Sequence, residues 1–243
     1  MQDQHHGFRQ GALRALIAAG LCLSAMGAQA QAATRGFTIT SFDAIRVDAP
    51  VIVQVATGSG VSARAEGPQD SLDRLKVDVA GRLLIISMAR PQPGERSQGA
   101  PTLRLTTGMI DRIVLTGGGS ITVNRMKGLR GEIISGGNGD VTVDAVELDQ
   151  MTVALAGGGR ISLTGRAATA SIRVNGPGAV AAQALQTRQA TIANDGPGQI
   201  AVAADVTARV TASGSGDVQV SGKAACIVDN RGTGQVLCGG EAF

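Results

Sequence analysis

Asp140 and Asp217 each end a glycine-rich turn, in GGNGD at 136–140 and in GSGD at 214–217. A carboxylate so placed can ligate calcium or serve as a general acid or base. Calcium held by glycine-rich nonapeptides needs an oxygen ligand in turn after turn at nine-residue spacing. Here the turns recur about every twenty residues, and the matching positions are Ser120, Arg160, Ala179, Gln199 and Gln235. A calcium site is therefore not expected. Acid–base attack on a glycan needs two carboxyl groups about 5–10 Å apart. Asp140 and Asp217 lie four repeats apart, roughly 19 Å if the repeats stack as strands, and Asp140 and Asp144 span about 13 Å along one strand.

Other chemistry is thinner still. His5 and His6 are the only histidines, and both lie in a leader segment. The exported chain then has no histidine, which removes Ser-His-Asp and Cys-His nucleophiles and histidine-bearing zinc sites. Two remaining cysteines, Cys226 and Cys238, cannot build an all-thiolate zinc site. The glycine clusters also resemble loose dinucleotide-binding patterns, but those open a helix, and a strand pattern follows every cluster here. The sequence predicts no enzyme and no cofactor.

The leader itself is legible. Arg9 and Arg14 precede the apolar run ALIAAGLCLSAMGA at 15–28, and Ala28-Gln29-Ala30 and Ala30-Gln31-Ala32 are small-x-small cleavage sites. This reads as a signal peptide over residues 1–32, since the run is too short to span a bilayer. Leu21 before Cys22 does not suit lipidation. Export to the periplasm, cell surface or medium is expected, with no membrane span in the mature chain. The formal net charge is only +3, and there is no Trp or Tyr and no run of Lys or Arg. Nucleic acid is therefore not an expected partner.

What positions these residues is a repeat. The turns TGGGSITV, GGNGDVTV, AGGGRISL, NGPGAVAA, DGPGQIAV, SGSGDVQV and RGTGQVLC carry glycine pairs at Gly117 and Gly119, Gly137 and Gly139, Gly157 and Gly159, Gly176 and Gly178, Gly196 and Gly198, Gly214 and Gly216, and Gly232 and Gly234. The second glycines are spaced 20, 20, 19, 20, 18 and 18 residues apart, the mark of a solenoid. Two residues after each anchor stand Ile121, Val141, Ile161, Val180, Ile200, Val218 and Val236; six before it stand Ile113, Ile133, Val153, Ile172, Ile192, Val210 and Val228. Polar or small residues alternate with them, as in half-buried strands. A meander of hairpins and a parallel coil both fit strand, corner, strand, corner. The coil is favoured, because it stacks each column on itself about 4.8 Å apart. The expectation is an all-β parallel β-helix of about seven regular 18–20-residue rungs over 109–238, with an irregular N-terminal lead-in of strands over 36–108, all one domain from 33 to 243. The glycines would supply positive φ and close stacking at the corners, with the residue between them facing outward.

Within that lead-in, PQDSLDRLKVDV can hold a helical turn or two with Leu72 and Leu75 on one face, plugging an open end. Residues 89–102, with Pro91, Pro93, Gly94, Gly99 and Pro101, read as a loop. Cys238 falls in a buried column, and Cys226 falls at even spacing from one. A disulfide between them would tie off the last rung in an oxidising compartment. Phe243 is placed to cover the bottom of the core.

The combination FDAIRVDAPVIVQVATGSG, DSLDRLKVDVAGRLLIIS and repeated G-x-G-[DS]-[IV]-x-[VL] closely resembles the head GIN domain family of putative autotransporter adhesins, from about Phe42 to Cys238. The resemblance implies a β-helix-like exported domain, an adhesive role and no catalytic residues. The Asp after the turn survives here only at Asp140 and Asp217. The function expected is a binding scaffold for an unknown surface ligand or envelope protein, with glycan a candidate. The alternatives are an envelope-assembly partner and a polysaccharide-active β-helix enzyme. Arg104, Arg112, Arg160, Arg173 and Arg209 are the charges that would mark an anionic-glycan face if they converge.

Overall fold

The computed structural model describes residues 33–58, 60–91 and 99–243. Residues 1–32, for which the sequence suggests a signal peptide, and most of the proline-rich loop lie outside the described residues. The lead-in holds β1 (Ala33–Phe37), β2 (Ala44–Val47), β3 (Ile52–Thr57), β4 (Ser62–Gly67), α1 (Gln69–Arg74), β5 (Leu75–Ala80), β6 (Leu83–Met88) and β7 (Thr102–Thr107). The repeats hold β8 (Arg112–Leu115), β9 (Ser120–Val123), β10 (Met126–Ser135), β11 (Asp140–Leu155), β12 (Arg160–Val174), β13 (Ala179–Asn194), β14 (Gln199–Ala212), β15 (Val218–Ser221), β16 (Ala225–Asn230), β17 (Val236–Cys238) and β18 (Glu241–Ala242).

The repeats stack in parallel and in register. One ladder runs Ile113, Ile133, Val153, Ile172, Ile192, Val210, Val228. Another runs Ile121, Val141, Ile161, Val180, Ile200, Val218, Val236. The fold is a β-solenoid of about six turns, with the seven glycine corners marking the six intervals between them. Nearly all of both ladders is buried, with Val228 on the last rung only partly so. At about 1.5–3 kcal/mol for each fully buried aliphatic side chain, these columns are a principal source of the apolar stabilisation.

Each turn has three sides, where the sequence suggested two strands and two corners. In β11 the inward alternation pauses at Asp144–Ala145 and again at Asp149–Gln150, where two successive side chains stay out of the core. Those pauses are corners, and the side between them is Val146–Leu148. Register shifts fall at the first of them, between Val143 and Val146 and between Ser162 and Thr164.

The glycines are needed for a narrower reason than expected. None of the fourteen corner glycines has φ in the left-handed region. Proximity is what requires them: a Cβ on Gly139 would lie 1.9 Å from the Gly119 carbonyl oxygen, on Gly159 1.9 Å from that of Gly139, and on Gly216 1.8 Å from that of Gly198. At Gly118, between a glycine pair, a Cβ would meet nothing within 4 Å, and Pro177 and Pro197 at this outward position are exposed.

The lead-in is more regular than its sequence. β2 and β3 form a further layer that stacks in parallel on β8 and β9, and β6 and β7 stack on the far side of β2 and β3. The corner of that layer, Asp48-Ala49-Pro50-Val51, has no glycine because nothing of its own shape lies above it. It supplies instead the backbone against which Gly117 and Gly119 pack. Beyond these layers the strands turn antiparallel: β4 pairs with β7, β1 with β4, and β5 with β6. α1 packs beside β1 and β4, with Leu72 and Leu75 buried and Arg35 donating to the Leu72 carbonyl oxygen at 2.9 Å.

The C-terminal end closes differently. β18 returns antiparallel along β17, and the Phe243 backbone N–H donates to Val236 O at 3.0 Å. The Phe243 side chain stays half exposed, so the backbone rather than the ring anchors the tail, and the expected aromatic plug is not there.

Candidate functional site

The two turn carboxylates are consumed by the backbone. Asp140 Oδ1 accepts the Arg160 backbone N–H at 2.9 Å, and Asp217 Oδ1 accepts that of Gln235 at 2.8 Å. Where the acid is absent, the N–H one turn on bonds a glycine carbonyl, as Ala179 does to Gly159 and Gln199 to Gly178. Asn138 acts likewise, accepting from Gly158 N–H at 3.1 Å. These side chains staple one turn to the next. Among the described residues, no group of three or more His, Cys, Asp or Glu comes together to hold a metal ion.

Cys226 and Cys238 stand as a disulfide pair with Cα atoms 6.3 Å apart. Cys238 is buried, whereas Cys226 is only partly so. The pair joins β16 to β17, the two strands of the final turn.

The five arginines do not converge. Arg112, Arg173 and Arg209 are on the side that precedes each glycine corner; Arg104 and Arg160 are on the side that follows it. Arg104 pairs with Glu66, Arg112 with Glu132 at 3.0 Å and Arg173 with Asp195 at 3.6 Å. They solvate two different faces.

The third side carries a feature that the sequence reading missed. A groove of about 480 Å³ crosses four turns there. Its floor is the stacked column Leu148, Ala167 and Thr187, all nearly buried. Glu147, Arg166 and Gln186 stand in register along one wall; Asp149, Arg188 and Asp205 each follow a floor position on the other. Glu147 already meets Arg125 and Lys127, each at 3.8 Å. Arg166 and Arg188 stand in no ion pair among the described residues and offer planar donors to the groove. Asp149 and Asp205 offer acceptors. Small Ala168 leaves the middle open. Such a row can hold a polar, hydroxylated ligand by hydrogen bonds, without an aromatic platform.

Fold and surface together define a β-solenoid with a polar groove along one side. The family described as "Putative auto-transporter adhesin, head GIN domain" matches residues 41–224, and the chain belongs to it. Among solved structures, a putative adhesin from Bacteroides fragilis is similar with TM-score 0.77 and 19% identity, covering 85% of this chain and 96% of that one. A putative lipid binding protein from Parabacteroides distasonis has TM-score 0.66 and 20% identity over 86% and 96% of the two chains. A putative adhesin from Parabacteroides merdae has TM-score 0.63 and 15% identity over 86% and 96%. At these identities the likeness is one of fold. No curated protein matches the chain.

Proposed function

We propose that this protein is an exported, non-catalytic binding scaffold of the adhesin type, and that it holds its ligand in the groove on the third side. The observation that carries the reading is the contrast between two sets of polar groups. The turn carboxylates that could do chemistry are tied to backbone N–H groups, whereas Arg166, Arg188, Asp149 and Asp205 line a groove that crosses successive turns. The family description supports adhesion, and one structural relative is described as lipid binding. Among the described residues no helix is long and apolar enough to cross a membrane.

The test is a screen of the purified exported protein against a glycan panel and against anionic and zwitterionic lipid vesicles, beside an Arg166→Ala/Arg188→Ala double variant. Binding that falls about tenfold or more in the variant is expected, from the loss of charge-assisted hydrogen bonds. Binding that the variant retains in full would move the site elsewhere. Turnover of any glycan would overturn the non-catalytic reading.

A further inference from the structure

The two ends of the coil differ. At the N-terminal end, β1, β4, β5 and α1 fold over the outermost layers. At the other end, β18 covers β17 alone, while β16 pairs with β14 on one side and with no strand on the other among the described residues. Arg231 N–H reaches back to Ala212 O. Alternation along a parallel strand then turns the N–H and C=O groups of Cys226 and Val228 away from β14, toward the open edge. Val228 is only partly buried, although its column is fully buried at Ile113, Ile133, Val153, Ile172, Ile192 and Val210.

The outward column points the same way. Up the coil it reads Arg112, Glu132, Thr152, Ser171, Thr191, Arg209, all polar, and at the last rung it becomes Ile227, 53% exposed. The edge is six residues long with no proline or bulge, a template that natural sheets normally blunt.

We infer that β16 pairs antiparallel with β16 of a second copy of this chain, about a two-fold axis through Ile227. The strand fits itself in this register. Ile227 covers Ile227 of the second copy, so the apolar outlier is buried on itself. Cys226 faces Val228 of the second copy, both inward, so the two cores become continuous. These opposed residues are the ones whose backbone groups point to the open edge, and they exchange hydrogen bonds as an antiparallel narrow pair does. Asp229, already paired with Arg231 at 2.9 Å, faces Ala225 of the second copy, so no like charges oppose each other within β16 in this register. Because both copies contribute the same edge, the contact closes as a two-fold dimer and does not propagate into a fibre.

Sedimentation of the exported protein across a range of concentrations tests this. A dimer mass is expected for the wild type and a monomer mass for Val228→Pro, whose lost N–H is one turned to the open edge, and for Ile227→Lys, with a far-UV spectrum unchanged in the lysine variant. In Ile227→Cys the two new Cβ atoms would sit about 4.5–5.5 Å apart, so oxidation should give an interchain disulfide on a non-reducing gel. A wild type that is monomeric throughout overturns the proposal. So does a dimer that survives both edge variants, which would place the contact on another face.

Discussion

A single methyl group separates a folded turn from a broken one at the glycine corners. The Cβ of a Gly139→Ala variant would have to enter the Gly119 carbonyl oxygen, which belongs to a backbone held from both sides. Overpacking against backbone cannot relax by a rotamer change. We expect Gly139→Ala to cost at least about 3 kcal/mol in urea unfolding and Gly118→Ala to stay within about 0.5 kcal/mol of wild type. Equal effects would show that the corner tolerates spreading. Asp111 gives a second residue-scale test. Burial, and then the Asp43 carboxylate, push its carboxyl above the usual range, against the Arg82 guanidinium. A raised acid makes the folded state bind the proton more tightly, so stability falls as pH rises from the ordinary carboxylate range through the raised value. Asp111→Asn should therefore melt above wild type at pH 7, with the difference closing near pH 3. A difference independent of pH would remove the carboxyl as its cause.

Stacked strands make the turn the unit of stability, and the buried columns set its strength. Ile200 sits between Val180 and Val218 with 1% of its surface exposed. An Ile200→Asp variant would bury a charge with no partner at this position, and we expect it to lower stability by at least about 4 kcal/mol. A melt unchanged from wild type would deny that the side chain is internal. The columns that make this prediction possible were legible in the sequence, because they lie within a few residues of the glycine anchors. The third side was not legible. Repeat length varies from 18 to 20 residues, and register shifts fall just before it in successive turns, with one more just after it between β13 and β14. Counting from an anchor therefore loses step before reaching Arg166 or Arg188. The glycine pattern was visible but its cause was not, since close stacking and positive φ leave the same residue behind.

For the whole molecule, the solenoid, the family and the cysteine pair could be read from sequence, while the finish of each end could not. The layer of β2 and β3 hides because its corner lacks glycine, and β6 and β7 hide because they lie outside strands that precede them in the chain. Phe243 suggested a plug from its place after the last rung, and the tail instead anchors through its backbone. The identical corners have one more consequence. Because each turn meets mainly the turns directly above and below it, copying a single twenty-residue segment would insert cleanly. The rod would grow by about 4.8 Å, both ends would keep their finish, and the groove would gain one more pair of wall positions. Reach and valency could thus change in whole steps through duplication, with no new contact to invent.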